Sequence, residues 1–181
     1  MSLRIIAGQF GGRIIAAPDS ATTHPMSERA RNALFNSIGE VIIGANVLDA
    51  FAGSGAAGLE ALSRGAGHVT FIERDRQAAQ TLSRNIATLS VESETTLIKT
   101  SVENWLKTRT NQNFDLIIAD PPYNNLQANT IKKLFGLLKP KALMVLSHPD
   151  KNEILIESDD IAAVSERHYA AATLTFYRRK G

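Results

Sequence analysis

From residue 46 onward, short apolar runs alternate with segments whose apolar residues recur at helical spacing. Residues 47–51 (Val-Leu-Asp-Ala-Phe) read as a strand, and a glycine-rich turn leads into a helix over 57–64. Residues 68–72 form the next strand. Residues 76–89 form a helix with Ala79, Leu82, Ile86 and Leu89 on one face. A third strand at 95–99, a short helix at 102–107 and a fourth strand at 114–119 follow. A helix over 128–137 then leads to a strand at 142–147. Two last strand patterns, 162–169 and 172–178, lack an intervening helix and read as an antiparallel pair at a sheet edge. Ahead of this region, residues 3–7 and 13–17 read as a hairpin around Gln9-Phe10-Gly11-Gly12. After a loop containing Pro18 and Pro25, Ser27 opens a helix that carries Ala30, Leu34, Phe35 and Ile38 and stops at Gly39. Alternating strands and helices predict a Rossmann-like α/β fold, with a doubly wound, mostly parallel sheet. The pattern divides the chain at about residue 40 into an N-terminal hairpin-and-helix arm (1–40) and the α/β domain (41–181).

Composition narrows the function classes. The chain has 181 residues, 44% of them hydrophobic, enough for one substantial core. No apolar run approaches the roughly 18 residues that a membrane span needs. The absence of cysteine excludes disulfides, thiolate metal sites and a cysteine nucleophile. His24 and His148 are isolated, so no metal site is expected. The first eight residues lack a signal-peptide pattern, and a cytoplasmic location is expected. A net charge of +2 and a pI near 9.0 permit a nucleic-acid partner without requiring one. Arg4, Arg13, Arg29 and Arg31 make the arm a candidate RNA-contacting surface, although Asp19, Glu28 and Glu40 nearly cancel their charge.

Two motifs carry chemistry. Gly53, Gly55 and Gly58 match G-x-G-x-x-G between a strand and a helix. Glu73 closes the next strand about 20 residues on, where an acid accepts hydrogen bonds from ribose hydroxyls. Asp49, four residues before the first glycine, disfavours a pyrophosphate and favours a cation. That points to S-adenosylmethionine, with its sulfonium and ammonium, rather than NAD. Phe51, Ser54 and Arg74 flank these positions and join them as candidate cofactor contacts.

The second motif, Asp120-Pro121-Pro122-Tyr123, follows the fourth strand, at the end where open α/β sheets bind ligands. Two prolines fix φ and remove two N–H donors, which leaves carbonyl acceptors beside a carboxylate and a ring. Such a cluster suits a planar group bearing an NH2, such as a nucleobase. A plain strand-ending turn is the competing reading. In a doubly wound sheet the fourth strand lies beside the first, so the two motifs are expected to meet.

With these residues in view, the chain resembles the RsmD-type bacterial ribosomal RNA methyltransferases. The shared stretches are Arg4-Ile5-Ile6-Ala7-Gly8, Gly12-Arg13, residues 29–36, 48–55 and 58–66, Asp120-Pro121-Pro122-Tyr123 and Phe176-Tyr177-Arg178. The resemblance implies a class I methyltransferase that transfers a methyl group from S-adenosylmethionine to the exocyclic N2 of a guanine in 16S rRNA. The substrate would be free RNA or a 30S assembly intermediate, and the enzyme a monomer. The resemblance also implies that Ser101 and Val102, after the third strand, contact the cofactor and that Asn36 lies near the active site. His24-Pro25-Met26, Ser101 and Ser147-His148 depart from the family's usual residues, which are Arg-Pro-Thr, an Asp and a Glu. A DNA adenine amino-methyltransferase and a catalytically silent RNA-binding module are the alternatives. The first lacks room for a target-recognition domain, and the second leaves Asp49, Glu73 and Asp120 without a purpose.

Overall fold

The computed structural model describes residues 2–18, 26–108, 113–149, 158–169 and 172–181. The arm consists of an antiparallel hairpin, β1 (Ser2–Arg4) and β2 (Ile14–Ala16), followed by helix α1 (Glu28–Ile38). The Ser27 hydroxyl accepts from the Ala30 N–H at 3.2 Å and caps α1. Gly39, at φ 59, ends the helix. The remaining elements are β3 (Asn46–Asp49), α2 (Ala56–Ser63), β4 (His68–Ile72), α3 (Arg76–Leu89), β5 (Thr95–Ile98), α4 (Val102–Thr108), β6 (Phe114–Ala119), α5 (Ala128–Phe135), β7 (Leu138–His148), β8 (Ile161–Tyr169) and β9 (Ala172–Arg179).

The sheet runs β5-β4-β3-β6-β7-β9-β8, parallel from β5 to β7 and antiparallel at β9 and β8. The chain winds outward from β3 to β5 and then returns to lay β6 against β3. The strand order therefore reverses between β3 and β6, and their carboxyl ends, Asp49 and Ala119, open on the crevice where such sheets bind ligands.

Strand alternation divides the core between two faces. Val47, Leu116 and Ile118 join a cluster with Leu59, Phe71 and Leu82 from α2, β4 and α3. Ile5, Ile15, Leu34 and Phe35 of the arm complete this cluster. Leu48, Ile117 and Ala119 face the other way, toward Trp105 of α4 and Ile131 and Leu134 of α5. The arm thus closes one face of the sheet together with α2 and α3, while α4 and α5 close the other.

β1 ends at Arg4 rather than at residue 7, β3 at Asp49 rather than at 51 and α5 at Phe135 rather than at 137, and one strand departs further from its sequence pattern. The strand predicted at 142–147 begins at Leu138, because Leu138 pairs with Phe114 before the register jumps to Leu143 opposite Leu116. Lys139, Pro140 and Lys141 form the intervening bulge, with Lys141 at φ 65. Among the described residues, no helix is long and apolar enough to cross a membrane.

Candidate active site

The glycine loop joins β3 to α2, and its glycines have separate reasons to be there. A Cβ on Gly55 would sit 2.2 Å from Leu82 Cδ1, and one on Gly58 would sit 2.2 Å from Phe71 Cε1, so both permit α2 to pack against β4 and α3. Gly53, at φ 53, has nothing within 4 Å of its missing Cβ, and the loop there faces open space. Two acids preset the loop. Asp49 Oδ2 accepts the Gly58 N–H at 2.9 Å. Glu73 accepts the Gly53 N–H at 2.7 Å with one oxygen and the Asp75 N–H at 2.6 Å with the other. Each carboxylate oxygen retains a lone pair for a ligand hydroxyl. Behind the loop, Asn85 Nδ2 donates to the Ser54 carbonyl and to the Ala16 carbonyl, both at 2.9 Å. Its Oδ1 accepts the Ala16 N–H, so one side chain ties the arm to the loop.

Asp120 lies directly beyond β6, across the crevice from Asp49. Burial pushes the Asp49 carboxyl up to about 7. The Gly58 N–H opposes that rise, and the negative charges of Asp120 and Glu73 add to it. Burial also pushes Asp120 up to about 6, opposed by hydrogen bonds from the Ser147 side chain and the Met26 N–H. Among the described residues, no cationic side chain pairs with Asp49, Glu73 or Asp120. Three acids thus converge on a crevice where, among the described residues, none of them has a cationic partner, which fits a cationic organic ligand.

The acceptor cluster is stiff. Pro121 is buried, and the Pro122 carbonyl is taken by the Asn125 N–H at 2.8 Å. Among the described residues, no hydrogen bond reaches the Pro121 carbonyl, so it stays available beside Asp120. Tyr123 keeps 38% of its surface exposed while its hydroxyl lies 2.8 Å from Ser147 Oγ. Burial and the nearby Asp120 raise its pKa, so the phenol stays protonated. Next to this loop lies a cleft of about 480 Å³ lined by Arg74, Ser101, Asn125, Gln127 and Thr130. Ser101 Oγ accepts the Asn104 N–H at 3.2 Å at the start of α4. Val102 is buried against the core, and Phe51 packs at the edge of the same cluster.

Residues 3–178 match a family described as Conserved hypothetical protein 95. The chain belongs to this family. The chain is 36% identical to Ribosomal RNA small subunit methyltransferase D of Haemophilus influenzae, over 97% of this chain and 93% of the relative. The RsmD-type resemblance read from the motifs therefore holds. The solved Escherichia coli protein yhhF, provisionally designated a methyltransferase, superposes with a TM-score of 0.90 at 33% identity over 100% of this chain and 99% of that one. SMU.776, a methyltransferase-like protein solved with SAH, superposes with a TM-score of 0.67 at 16% identity over 83% of this chain and 48% of that one. At that identity the likeness speaks for the fold alone.

Against this family frame, the arm residues separate into two groups. Arg4 and Arg29 are exposed. Arg13 is exposed too, and its Nη2 donates to the Thr88 carbonyl at 2.8 Å. Arg31 corrects the expectation of an RNA contact. It is fully buried, forms an ion pair with Glu60 at 3.7 Å and donates to the Arg4 carbonyl at 2.6 Å. Asn36, placed near the active site by the resemblance, contacts Arg64. Its Oδ1 accepts from Arg64 Nη1 at 3.2 Å, at the far end of α2 from the glycine loop. His24 and Pro25 lie outside the described residues.

Sequence reasoning missed three contributors. Glu60 carries the arm: it accepts the Ile6 N–H at 2.7 Å, the Ala7 N–H at 3.1 Å and Arg64 Nε at 2.8 Å. An acid within the otherwise apolar and small stretch Gly58-Leu59-Glu60-Ala61-Leu62 was the available signal. Met26 and Ser147 reach Asp120 through a backbone N–H and a hydroxyl; both positions stood out as departures from the family's residues, but not as partners of Asp120.

Proposed function

We propose that the chain transfers a methyl group from S-adenosylmethionine to the exocyclic N2 of a guanine in 16S rRNA during small-subunit maturation. The observation that carries this reading is the pairing, across the β3–β6 switch point, of an acid-rich crevice with the Asp120-Pro121-Pro122-Tyr123 acceptor cluster. Relatives named Ribosomal RNA small subunit methyltransferase D support the choice of substrate.

Asp49 would face the positive end of the cofactor, Glu73 its ribose, and Arg74, Ser101 and Val102 its base, with Phe51, Gly53, Ser54 and Gly55 forming the loop around it. When bound, S-adenosylmethionine supplies an electrophilic methyl group. A guanine amine is a weak nucleophile because its lone pair is delocalised into the ring. Asp120 and the Pro121 carbonyl accept its two N–H bonds, favour a pyramidal nitrogen and stabilise the positive charge that develops there. Pro122 keeps the acceptors in place. Tyr123 stacks on the base, a contact worth about 1–3 kcal/mol, and a paired target is first flipped from its helix. Arg4, Arg13 and Arg29 meet RNA phosphates. In this reading residues 1–40 form the RNA-contacting arm and 41–181 the methyltransferase domain, acting as a cytoplasmic monomer on RNA or a 30S assembly intermediate.

The substrate test uses labelled S-adenosylmethionine with 16S rRNA, 30S particles and DNA from a strain lacking the enzyme, followed by nucleoside analysis. N2-methylguanine in RNA is the expected product, and N6-methyladenine or labelled DNA overturns the reading. A second prediction concerns the cofactor. Asp49→Ala and Glu73→Ala should each raise the Kd for S-adenosylmethionine by about tenfold or more. In the wild type, Asp49 is largely protonated below pH 7, so taking up a cation releases its proton. Affinity should therefore rise with pH and level off above about 7, with proton release visible by calorimetry in buffers of different ionisation heat. Flat affinity across that range removes Asp49 from the site.

A further inference from the structure

Ser147 stands near the carboxyl end of β7, only 1% exposed. Because Ala119 and Leu146 are partners in the β6–β7 ladder, the next residues, Asp120 and Ser147, emerge side by side at the crevice. The Ser147 side chain hydrogen-bonds the Asp120 carboxylate, and its Oγ lies 2.8 Å from the Tyr123 hydroxyl. An ionised carboxylate only accepts hydrogen bonds, so a Ser147 hydroxyl that donates to Asp120 is left to accept from Tyr123. One buried hydroxyl thus stands between the ring and the carboxylate, within hydrogen-bond distance of Tyr123.

We propose that Ser147 is a positioning residue for methyl transfer, holding the Asp120 carboxylate and the Tyr123 ring in one arrangement for the incoming amine. The inference rests on the reading that Asp120 accepts that amine. The groups facing Asp120 are Asp49 from β3, Tyr123 from its own loop, Ser147 from β7 and the Met26 N–H from the arm, with no cation among the described residues. His148 is turned toward Thr175 Oγ1 of β9, at 2.9 Å. The hydrogen bond from Ser147 favours the ionised carboxylate, so its removal makes Asp120 a weaker acid.

The experiment measures kcat and KM against pH on 30S particles from a strain lacking the enzyme, alongside calorimetric cofactor affinity. Ser147→Ala is expected to lower kcat by about tenfold or more. It should also move the acid limb of the kcat profile up by about one pH unit, with cofactor affinity unchanged. Ser147→Thr keeps the hydroxyl and should restore both. A wild-type kcat with an unmoved acid limb in the alanine variant overturns the proposal, as does a parallel loss of cofactor affinity. If the alanine variant does not fold, Tyr123→Phe removes the hydroxyl that faces Ser147 Oγ. A lower kcat at unchanged cofactor affinity then supports the proposal, and an unchanged kcat overturns it. Asp120→Ala run in the same series separates the two claims. Full activity there sinks the amine-acceptor reading itself, whatever Ser147 does.

Discussion

With alanine at position 120, methyl transfer is expected to fall by about a thousandfold, the loss that follows removal of a preorganised group facing developing charge. Asp120 is the acid that the end of β6 delivers to the crevice, and its carboxyl stands at about 6. It is therefore mostly ionised at neutral pH and able to accept an N–H bond. Asparagine at the same position keeps the shape and one acceptor oxygen but loses the charge, and an intermediate loss of about a hundredfold is expected. The cofactor should respond in the opposite sense. The negative charge of Asp120 is one of the causes that raise Asp49, so its removal lets Asp49 ionise more readily. Affinity for S-adenosylmethionine below pH 7 should thus be preserved or slightly improved. Single-turnover transfer of labelled methyl, read beside calorimetric binding, checks both halves. Wild-type turnover in the alanine variant rejects the mechanism. A matching collapse of cofactor affinity reassigns Asp120 to the cofactor.

The core of this site was legible because its chemistry is local. A strand, a glycine turn, a helix and an acid at the end of the next strand identify a nucleoside-binding βαβ unit from spacing alone. The β3–β6 pairing that joins the two motifs then follows from the winding rules. What escaped depends on pairs distant in sequence. Arg31 shares the face of α1 that carries Leu34 and Phe35, so its position at core spacing could be seen. That Glu60, on a different helix, is its partner could not. A charged residue on a helix reads as solvated until the tertiary fold supplies its counter-ion. The Ser147 contact with Asp120 depends on the register of β7 against β6, and the bulge at Lys139–Lys141 sets that register. The strand pattern at 142–147 gives no sign that the ladder resumes after such a bulge. Gly58 illustrates the same limit: the motif names the residue, but its reason here is the Phe71 ring that a Cβ would strike.

The largest stability effect is expected from Glu60. Its carboxylate is fully buried and serves two backbone N–H groups of the arm, Arg64 and the buried guanidinium of Arg31. Burial already disfavours the charged form of Arg31, with Glu60 as its main compensation, and among the described residues Arg31 Nε has no hydrogen-bond partner. Glu60→Ala strands that cation in the core and leaves the Ile6 and Ala7 N–H groups without their acceptor. Breaking a buried pair from one side costs about 3–5 kcal/mol, a large share of the roughly 5–15 kcal/mol that stabilises a domain. A drop in Tm of about 10 °C or more should follow. Removing both charges tests the cause. If the uncompensated cation dominates, Glu60→Ala combined with Arg31→Met should be more stable than Glu60→Ala alone. If the lost backbone acceptors dominate, the double variant should be no better, since both N–H groups remain unpaired. Thermal unfolding of the three proteins decides between these causes, and a Tm within about 2 °C of wild type in Glu60→Ala rejects both. The consequence reaches the crevice, because the arm anchored at Ile6 and Ala7 also supplies the Met26 N–H that meets Asp120. A loosened arm should therefore move the acid limb of methyl transfer toward higher pH, since the N–H that favours the Asp120 carboxylate would be held less firmly.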